Sequence, residues 1–139
     1  MASHAIAAAL AVLVTSSAAP PEMTVLPVDG ETVVAGIPTG CTGIGETKND
    51  PKWAAYPVRI EFANAAREYL RGGEVTIFDA RAHALLSLRC DAPWILLKLP
   101  SGAYRVEGRV VDSPAKPRSA PFRPPAKGQM RLVLTFPDA

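Results

Sequence analysis

His83 is the only histidine outside the first nineteen residues, so acid–base or nucleophilic chemistry would have to use it. A hydrolase of the Ser–His–carboxylate type needs a nucleophile beside the histidine and a carboxylate that orients it. His83 opens a strand-like run in which Ala84, Leu86 and Leu88 share a face, so its own side chain points to solvent. We therefore expect no catalytic residue and no cofactor.

Cysteine and histidine could also bind a metal ion. The candidates are Cys41, His83 and Cys90, and their spacing contains no C-x-x-C or H-x-x-x-H pair. Zinc sites need three or four such ligands. The spacing predicts no metal site.

The glycine-rich segment 36–45 invites comparison with a phosphate-binding loop. Gly40 and Gly45 have the spacing of a P-loop, but Glu46 stands where that motif has lysine. A carboxylate there would repel phosphate. We interpret the segment as a loop that positions Cys41.

Residues 1–19 resemble a secretory signal peptide. An apolar run, 6–14, is followed by the small residues Ser17, Ala18 and Ala19 at a plausible cleavage site. The segment has no lysine or arginine, and the alternatives are an alanine-rich tail or a membrane anchor. Because a bilayer requires about 20 apolar residues, we expect export to the periplasm or medium and no stable membrane span.

Two cysteines in an exported chain predict one disulfide, Cys41–Cys90. The alternative is a pair of buried free thiols, because Cys90 continues the core face of Leu86 and Leu88.

The stretch 94–111 is the part around which the other elements must be arranged. Its first half is apolar on both faces, which is typical of a central strand covered above and below. Its second half alternates between apolar and charged residues. Pro100 and Gly102 lie between the halves and favour a turn, so we interpret the stretch as a hairpin.

Further strands are predicted by the same alternation. In 58–62, for example, Val58, Ile60 and Phe62 face inward, and Arg59 and Glu61 face outward. Other predicted strands are 24–26, 32–34, 74–79, 83–89, 130–136 and a short edge strand at 119–122.

Two surface features could bind partners. Trp53 and Tyr56 share a face of a short helix that Asn49, Asp50 and Pro51 begin. They are either an aromatic binding platform or a lid over one end of the core.

The second feature is the proline-rich segment 112–128, whose basic residues form a possible partner surface. These residues are Lys116, Arg118, Arg123 and Lys127. They could bind an anionic component of a bacterial cell wall or outer membrane, or dock an envelope protein. The alternative is a solvated loop that protects a sheet edge. The net charge of +2 is too small to favour a nucleic acid.

Together these patterns predict an all-β fold, an antiparallel Greek-key β-sandwich of about seven strands with one short helix. We expect a signal peptide at 1–19, an N-terminal extension with the glycine-rich loop and short helix at 20–56, and the sandwich at 57–139.

Residues 99–106, LPSGAYRV, have the L-P-x-G-x-Y-x-V form of carboxypeptidase regulatory-like domains. The region 40–136 resembles these transthyretin-like (prealbumin-type) sandwiches, especially small exported proteobacterial proteins in which D-G-P-W precedes the turn. Here Ala92 replaces the glycine of that segment. The resemblance implies that Trp94, Pro100, Gly102 and Tyr104 are structural.

The resemblance also implies a function without catalysis. We expect a non-enzymatic exported module, binding, accessory or structural, in the bacterial envelope. The alternative is a small periplasmic hydrolase of transthyretin-like type that uses His83.

Overall fold

The computed structural model describes residues 8–9 and 20–139, and in them it shows ten strands and two 3₁₀ turns. The strands are β1 (Met23–Val25), β2 (Gly30–Val34), β3 (Ile37–Thr42), β4 (Val58–Asn64), β5 (Gly73–Phe78), β6 (Ala84–Cys90), β7 (Trp94–Leu97), β8 (Tyr104–Val110), β9 (Arg118–Phe122) and β10 (Met130–Phe136). The predicted signal peptide at 1–19 falls outside the described residues, apart from residues 8 and 9.

The strands form two five-stranded sheets, which confirms the all-β sandwich. Sheet I has the order β1-β6-β5-β8-β9, and sheet II has the order β10-β4-β7-β3-β2. The predicted number of about seven strands was too low. Pairing is antiparallel except at one edge of each sheet, where β1 runs parallel to β6 and β10 runs parallel to β4. A parallel pair needs a long connection, and the chain between β4 and β10 supplies one by passing through five other strands.

The glycine-rich segment is a loop only in its second part, because Ile37–Thr42 forms strand β3. Ala35 and Gly36, both at positive φ, make a two-residue turn that pairs β3 with β2. Pro38 and Gly40 weaken the sequence signal for a strand. Since β1, β2 and β3 pair within the two sheets, the region that we predicted as an N-terminal extension is part of the sandwich.

The stretch 94–111 is not a hairpin, although both of its halves are strands. β7 pairs with β3 and β4 in sheet II, whereas β8 pairs with β5 and β9 in sheet I. Residues 98–103 therefore cross between layers, which lie about 10 Å apart in a β-sandwich. The central position predicted for β7 is confirmed, since all four of its residues are buried.

The core lies between the sheets and contains the predicted disulfide. Cys41 on β3 and Cys90 on β6 are both fully buried, with their Cα atoms 5.6 Å apart. The bond therefore joins sheet II to sheet I. The inward alternation of Val58, Ile60 and Phe62 is also confirmed, since all three are buried in the same core.

The predicted short helix is a pair of consecutive 3₁₀ turns, Glu46–Asn49 and Pro51–Ala55. Asp50 caps the second turn by accepting a hydrogen bond from the Lys52 N–H at 3.0 Å. Neither turn is long or apolar enough to cross a membrane, and residues 8–9 and 20–139 contain no other helix.

Candidate functional site

Glu61 on β4 is buried, although the alternation of the strand places it on the face that should meet solvent. It lies on the outer face of sheet II, as the alternation of β4 predicts, yet its side chain is 0% exposed. Trp94 of β7 lies directly opposite it in the ladder. The outer face of sheet II therefore carries a second buried layer, and Glu61 is an ionisable group within it.

Two arginines neutralise this buried carboxylate. Arg131 of β10 approaches with its fork of two nitrogens: Nε donates to Oε2, and Nη2 donates to Oε1 at 2.9 Å. Arg59 Nε donates to Oε2 at 3.0 Å. A bidentate pair of this kind is among the stronger charge-assisted contacts.

The pKa of Glu61 reflects this competition. Burial by itself raises it, but hydrogen bonds from Arg131 and Tyr69, together with the charges of Arg59 and Arg131, bring the pKa below its ordinary value. The hydrogen bonds and the charge of Glu61 raise the pKa of Arg131. Both groups are therefore charged near neutral pH.

Aromatic rings complete the layer around the ion pairs. The guanidinium of Arg59 lies 4.2 Å from the ring centroid of Trp94, a cation–π contact. Tyr69 packs edge-on against the same indole, with centroids 6.2 Å apart and an interplanar angle of 80°. These contacts hold Arg59 above the sheet and exclude water from Glu61.

Tyr69 is placed by a tight turn after β4. The Asn64 side chain accepts a hydrogen bond from the Glu68 N–H at 3.0 Å, and Arg67 adopts a positive φ of 64°. The chain then folds back so that Tyr69 bridges Ala63. As a result, Arg67 and Tyr69 lie beside Arg131.

These residues line a surface pocket with a volume of about 560 Å³. Its lining residues are Ala63, Asn64, Ala65, Arg67, Tyr69, Arg131, Val133 and Thr135. The lining includes two arginines and no carboxylate, and the volume is within the ~300–1,000 Å³ of small-molecule sites. We call it the Arg131 pocket.

The charge of the Arg131 pocket favours an anion. Arg59 and Arg131 share the single carboxylate of Glu61, so the cluster carries excess positive charge before Arg67 is counted. Arg131 uses Nε and Nη2 for Glu61, which directs Nη1 away from that carboxylate, and its side chain is 56% exposed. A carboxylate or phosphate could bind this guanidinium without displacing Glu61.

Trp53 and Tyr56 pack on another part of the same outer face. Both are buried, and they cluster with Trp94 and Leu96. Gln129 ties this segment down by donating to the carbonyl oxygens of Trp53 and Tyr56 at 2.8 and 2.9 Å. The pair forms a lid, as one of the two interpretations held, but the lid covers the face of sheet II instead of one end of the core.

The four motif residues divide between two places. Pro100, Gly102 and Tyr104 meet at the crossing between the sheets, where the Tyr104 hydroxyl donates to the Pro100 carbonyl oxygen at 2.8 Å. The Tyr104 ring stacks on Phe122, with centroids 5.7 Å apart. Trp94 lies elsewhere, in the layer that covers Glu61.

His83 lies far from the Arg131 pocket. The ring of Phe62, near the end of β4, lies against Gly73, the first residue of β5. The pocket, which follows β4, is therefore at the opposite end of the sandwich from His83, which follows β5. The side chain of His83 is 69% exposed, and its Nδ1 lies 3.3 Å from Asp79 Oδ2.

Asp79 has a structural task in the turn that carries His83. Its Oδ1 accepts hydrogen bonds from the backbone N–H groups of Arg81 and His83, both at 2.9 Å. The His83 N–H is the largest cause of the lowered pKa of Asp79. The Asp79–His83 contact is thus part of a capped turn.

All four basic residues of the proline-rich segment are exposed. Arg118 begins the edge strand β9, and Lys116, Arg123 and Lys127 lie in the chain on either side of it. The predicted edge strand at 119–122 is confirmed, with one further residue at its start.

Sequence reasoning missed the Arg131 pocket. Glu61 was placed on the solvent face because strand alternation gives direction but not what covers a face. Arg131 is 70 positions further along the chain, and only the parallel register of β10 on β4 brings the two together. The signal in the sequence that could have indicated this site was Glu61 itself, an isolated glutamate between apolar residues of a central strand.

No family model matches the chain, and no curated protein matches it.

Proposed function

We propose that this protein is a non-enzymatic, exported β-sandwich module of the bacterial envelope that binds an anionic partner in the Arg131 pocket. The observation that carries the proposal is the position of the Arg131 guanidinium. One edge of this group binds the buried carboxylate of Glu61, which orients it, and the other edge of the guanidinium faces the pocket. Binding needs no further group to move, because the arginine is held in place before the partner arrives.

The disulfide supports export. Cys41 and Cys90 form a buried bond between the two sheets, and such bonds persist in oxidising compartments. Mass spectrometry of the chain recovered from a periplasmic fraction, with free thiols blocked, tests this part. We expect a chain without residues 1–19 and with no blocked thiol. A cytoplasmic chain that retains Met1 and two free thiols would contradict export.

The membership of this chain in a family is also a proposal. The turn segment 99–106 has the form found in carboxypeptidase regulatory-like domains, and in this chain Tyr104 closes over Pro100. We propose that the chain is a divergent, transthyretin-like member of that class, in which the motif is structural.

Binding is tested with purified lipopolysaccharide and with peptidoglycan fragments as separate probes. Arg67→Gln and Arg131→Gln should each weaken binding by about 10- to 150-fold, since a charge-assisted hydrogen bond contributes about 1.5–3 kcal/mol. Arg81→Gln is the matched control, because it removes the same charge from an exposed turn at the opposite end. Unchanged binding in the Arg67 and Arg131 variants would refute the proposal that the partner binds in the Arg131 pocket.

The predicted basic surface is tested in the same assay. Neutralising Lys116, Arg118, Arg123 and Lys127 together should leave binding at the pocket largely intact. If this variant alone loses binding, the partner site lies along β9 and the proposed pocket is wrong.

The second candidate is a hydrolase that uses His83, and the contact between His83 and Asp79 is the observation in its favour. Hydrolysis of cyclic amides and esters by the wild type, lost in His83→Ala, would establish it. Equal rates in the two proteins would exclude it.

A further inference from the structure

Strand β10 forms one edge of sheet II, and its outer edge has no strand partner within residues 20–139. It pairs with β4 along its whole length, from Met130 to Phe136, without a bulge. Such an edge presents unpaired N–H and C=O groups, and an extended chain can add to them.

The register identifies the free groups. Met130 N–H donates to the Pro57 carbonyl oxygen at 2.8 Å, so Met130 directs its backbone towards β4. Alternate residues of a parallel strand bond to the same neighbour. Arg131, Val133 and Thr135 therefore direct their N–H and C=O groups to the open edge.

This edge lacks the protection that two of the other three edges, β1 and β9, have; β2, the opposite edge of sheet II, also has no proline. β1 has three residues, and β9 has five with Pro121 among them. β10 has seven residues with no proline or glycine, and the side chain of Val133 on its outer face is exposed. Natural edges are commonly shortened or broken by proline to prevent pairing, and this one is not.

The chain segment that contains β9 and β10 carries one sign of charge, although Asp112 and Asp138 lie just outside it. Between Ser113 and Pro137 the sequence contains five cations and no Asp or Glu. The cations are Lys116, Arg118, Arg123, Lys127 and Arg131. The free edge of β10 and the start of β9 also enclose a surface cleft of about 270 Å³, lined by Arg118 and Ser119 on one side and Val133 and Thr135 on the other.

We propose that the free edge of β10 binds an extended, acidic segment of a partner protein by adding it as a sixth strand to sheet II. Backbone hydrogen bonds to Arg131, Val133 and Thr135 hold the segment, and its carboxylates meet the cations of β9 and β10. A second copy of this chain is disfavoured, because pairing two such edges would bring like charges together. This edge adjoins the Arg131 pocket and shares Arg131, Val133 and Thr135 with it, but the contacts proposed here are made by the backbone of β10 and do not require the function proposed for the pocket.

A synthetic peptide of about ten residues that alternates valine and glutamate is the probe. On adding it, hydrogen exchange should slow at the amides of Arg131, Val133 and Thr135, and much less at Leu132 and Leu134, which already face β4. A matched peptide with lysine in place of glutamate should not bind.

Val133→Pro removes an outward N–H and leaves the ladder to β4 in place, as proline is tolerated in edge strands. We expect it to weaken peptide binding at least about tenfold. Arg118→Glu with Arg123→Glu, which leaves β10 unaltered, should weaken binding of the glutamate peptide and strengthen binding of the lysine peptide.

Two results would overturn the proposal. One is unchanged exchange at the three outward amides of the wild type when the peptide is present. The other is binding that survives Val133→Pro but is lost in Arg67→Gln, which would place the peptide in the Arg131 pocket.

Discussion

The guanidinium of Arg131 reaches from β10 to the buried carboxylate of Glu61 on β4, and it binds both carboxylate oxygens. The two residues come from the edge strand and its neighbour, so the contact ties the last strand to sheet II. It also orients the arginine that we propose as the centre of the binding pocket. The Arg131–Glu61 ion pair therefore contributes to the stability of the fold and also orients the arginine that we propose binds the partner.

Arg131→Met should lower the free energy of unfolding by about 1–3 kcal/mol at neutral pH. Removing one partner of a buried ion pair costs about 3–5 kcal/mol, but Arg59 remains and Arg131 is half exposed, which reduces the loss. Arg109→Met is the matched control, with a side chain 57% exposed and a Glu107 partner, 39% exposed, 3.8 Å away. Urea denaturation measures the free energy of unfolding of both variants. Equal losses of stability in the two would contradict a special role for the contact with Glu61.

Stability should fall with acid in a way that depends on Glu61. Its pKa in the folded state lies below the ordinary value of 4.5, so its contribution is fully present above that value and is lost as pH falls through the folded-state pKa. Glu61→Gln should be less stable than wild type near neutral pH, and the difference should shrink as the pH falls from about 5 through the folded-state pKa of Glu61. Denaturation curves across this range test it; a constant difference would show that Glu61 does not titrate as described.

The disulfide should make a large contribution to stability. Cys41 and Cys90 are 49 positions apart, and a closed loop of that length contributes about 4 kcal/mol in the chain-entropy model. The double variant Cys41→Ala, Cys90→Ala should lose roughly that amount. Adding reductant should destabilise wild type and leave the variant unchanged, and a variant that responds to reductant would contradict the assignment.

Gly40→Ala should destabilise the protein by about 1–3 kcal/mol, as overpacking does. A Cβ on Gly40 would lie 2.5 Å from Cζ3 of the buried Trp53 ring. In a Trp53→Leu background the same substitution should cost much less, because the indole is gone. Urea denaturation of the four proteins forms a double-mutant cycle, and equal penalties in both backgrounds would show that Trp53 is not the obstacle.

Much of the fold follows from the order of side chains along the chain. Alternating apolar residues in 58–62 and 130–136 predicted strands and their inward faces correctly, and the doubly apolar start of 94–111 predicted a central strand. Each strand must bury one of its faces, so the alternation of apolar and polar residues can be recognised from the sequence of that strand alone.

Other features depended on partners that are distant in sequence. Strand β3 was predicted as a loop because Gly40 looks like a turn residue, whereas it makes room for Trp53. The two halves of 94–111 pair with other strands, which no turn signal reveals.

The amino-acid order by itself determined the all-β sandwich, the direction in which each strand's side chains point, and the two cysteines available to join the layers. Only the tertiary structure decided that Glu61 is buried, that Arg131 binds it, and that Arg67 and Tyr69 complete a pocket beside them. The reason is physical: alternation constrains a strand's two faces, but the register between strands far apart in sequence determines which side chains meet.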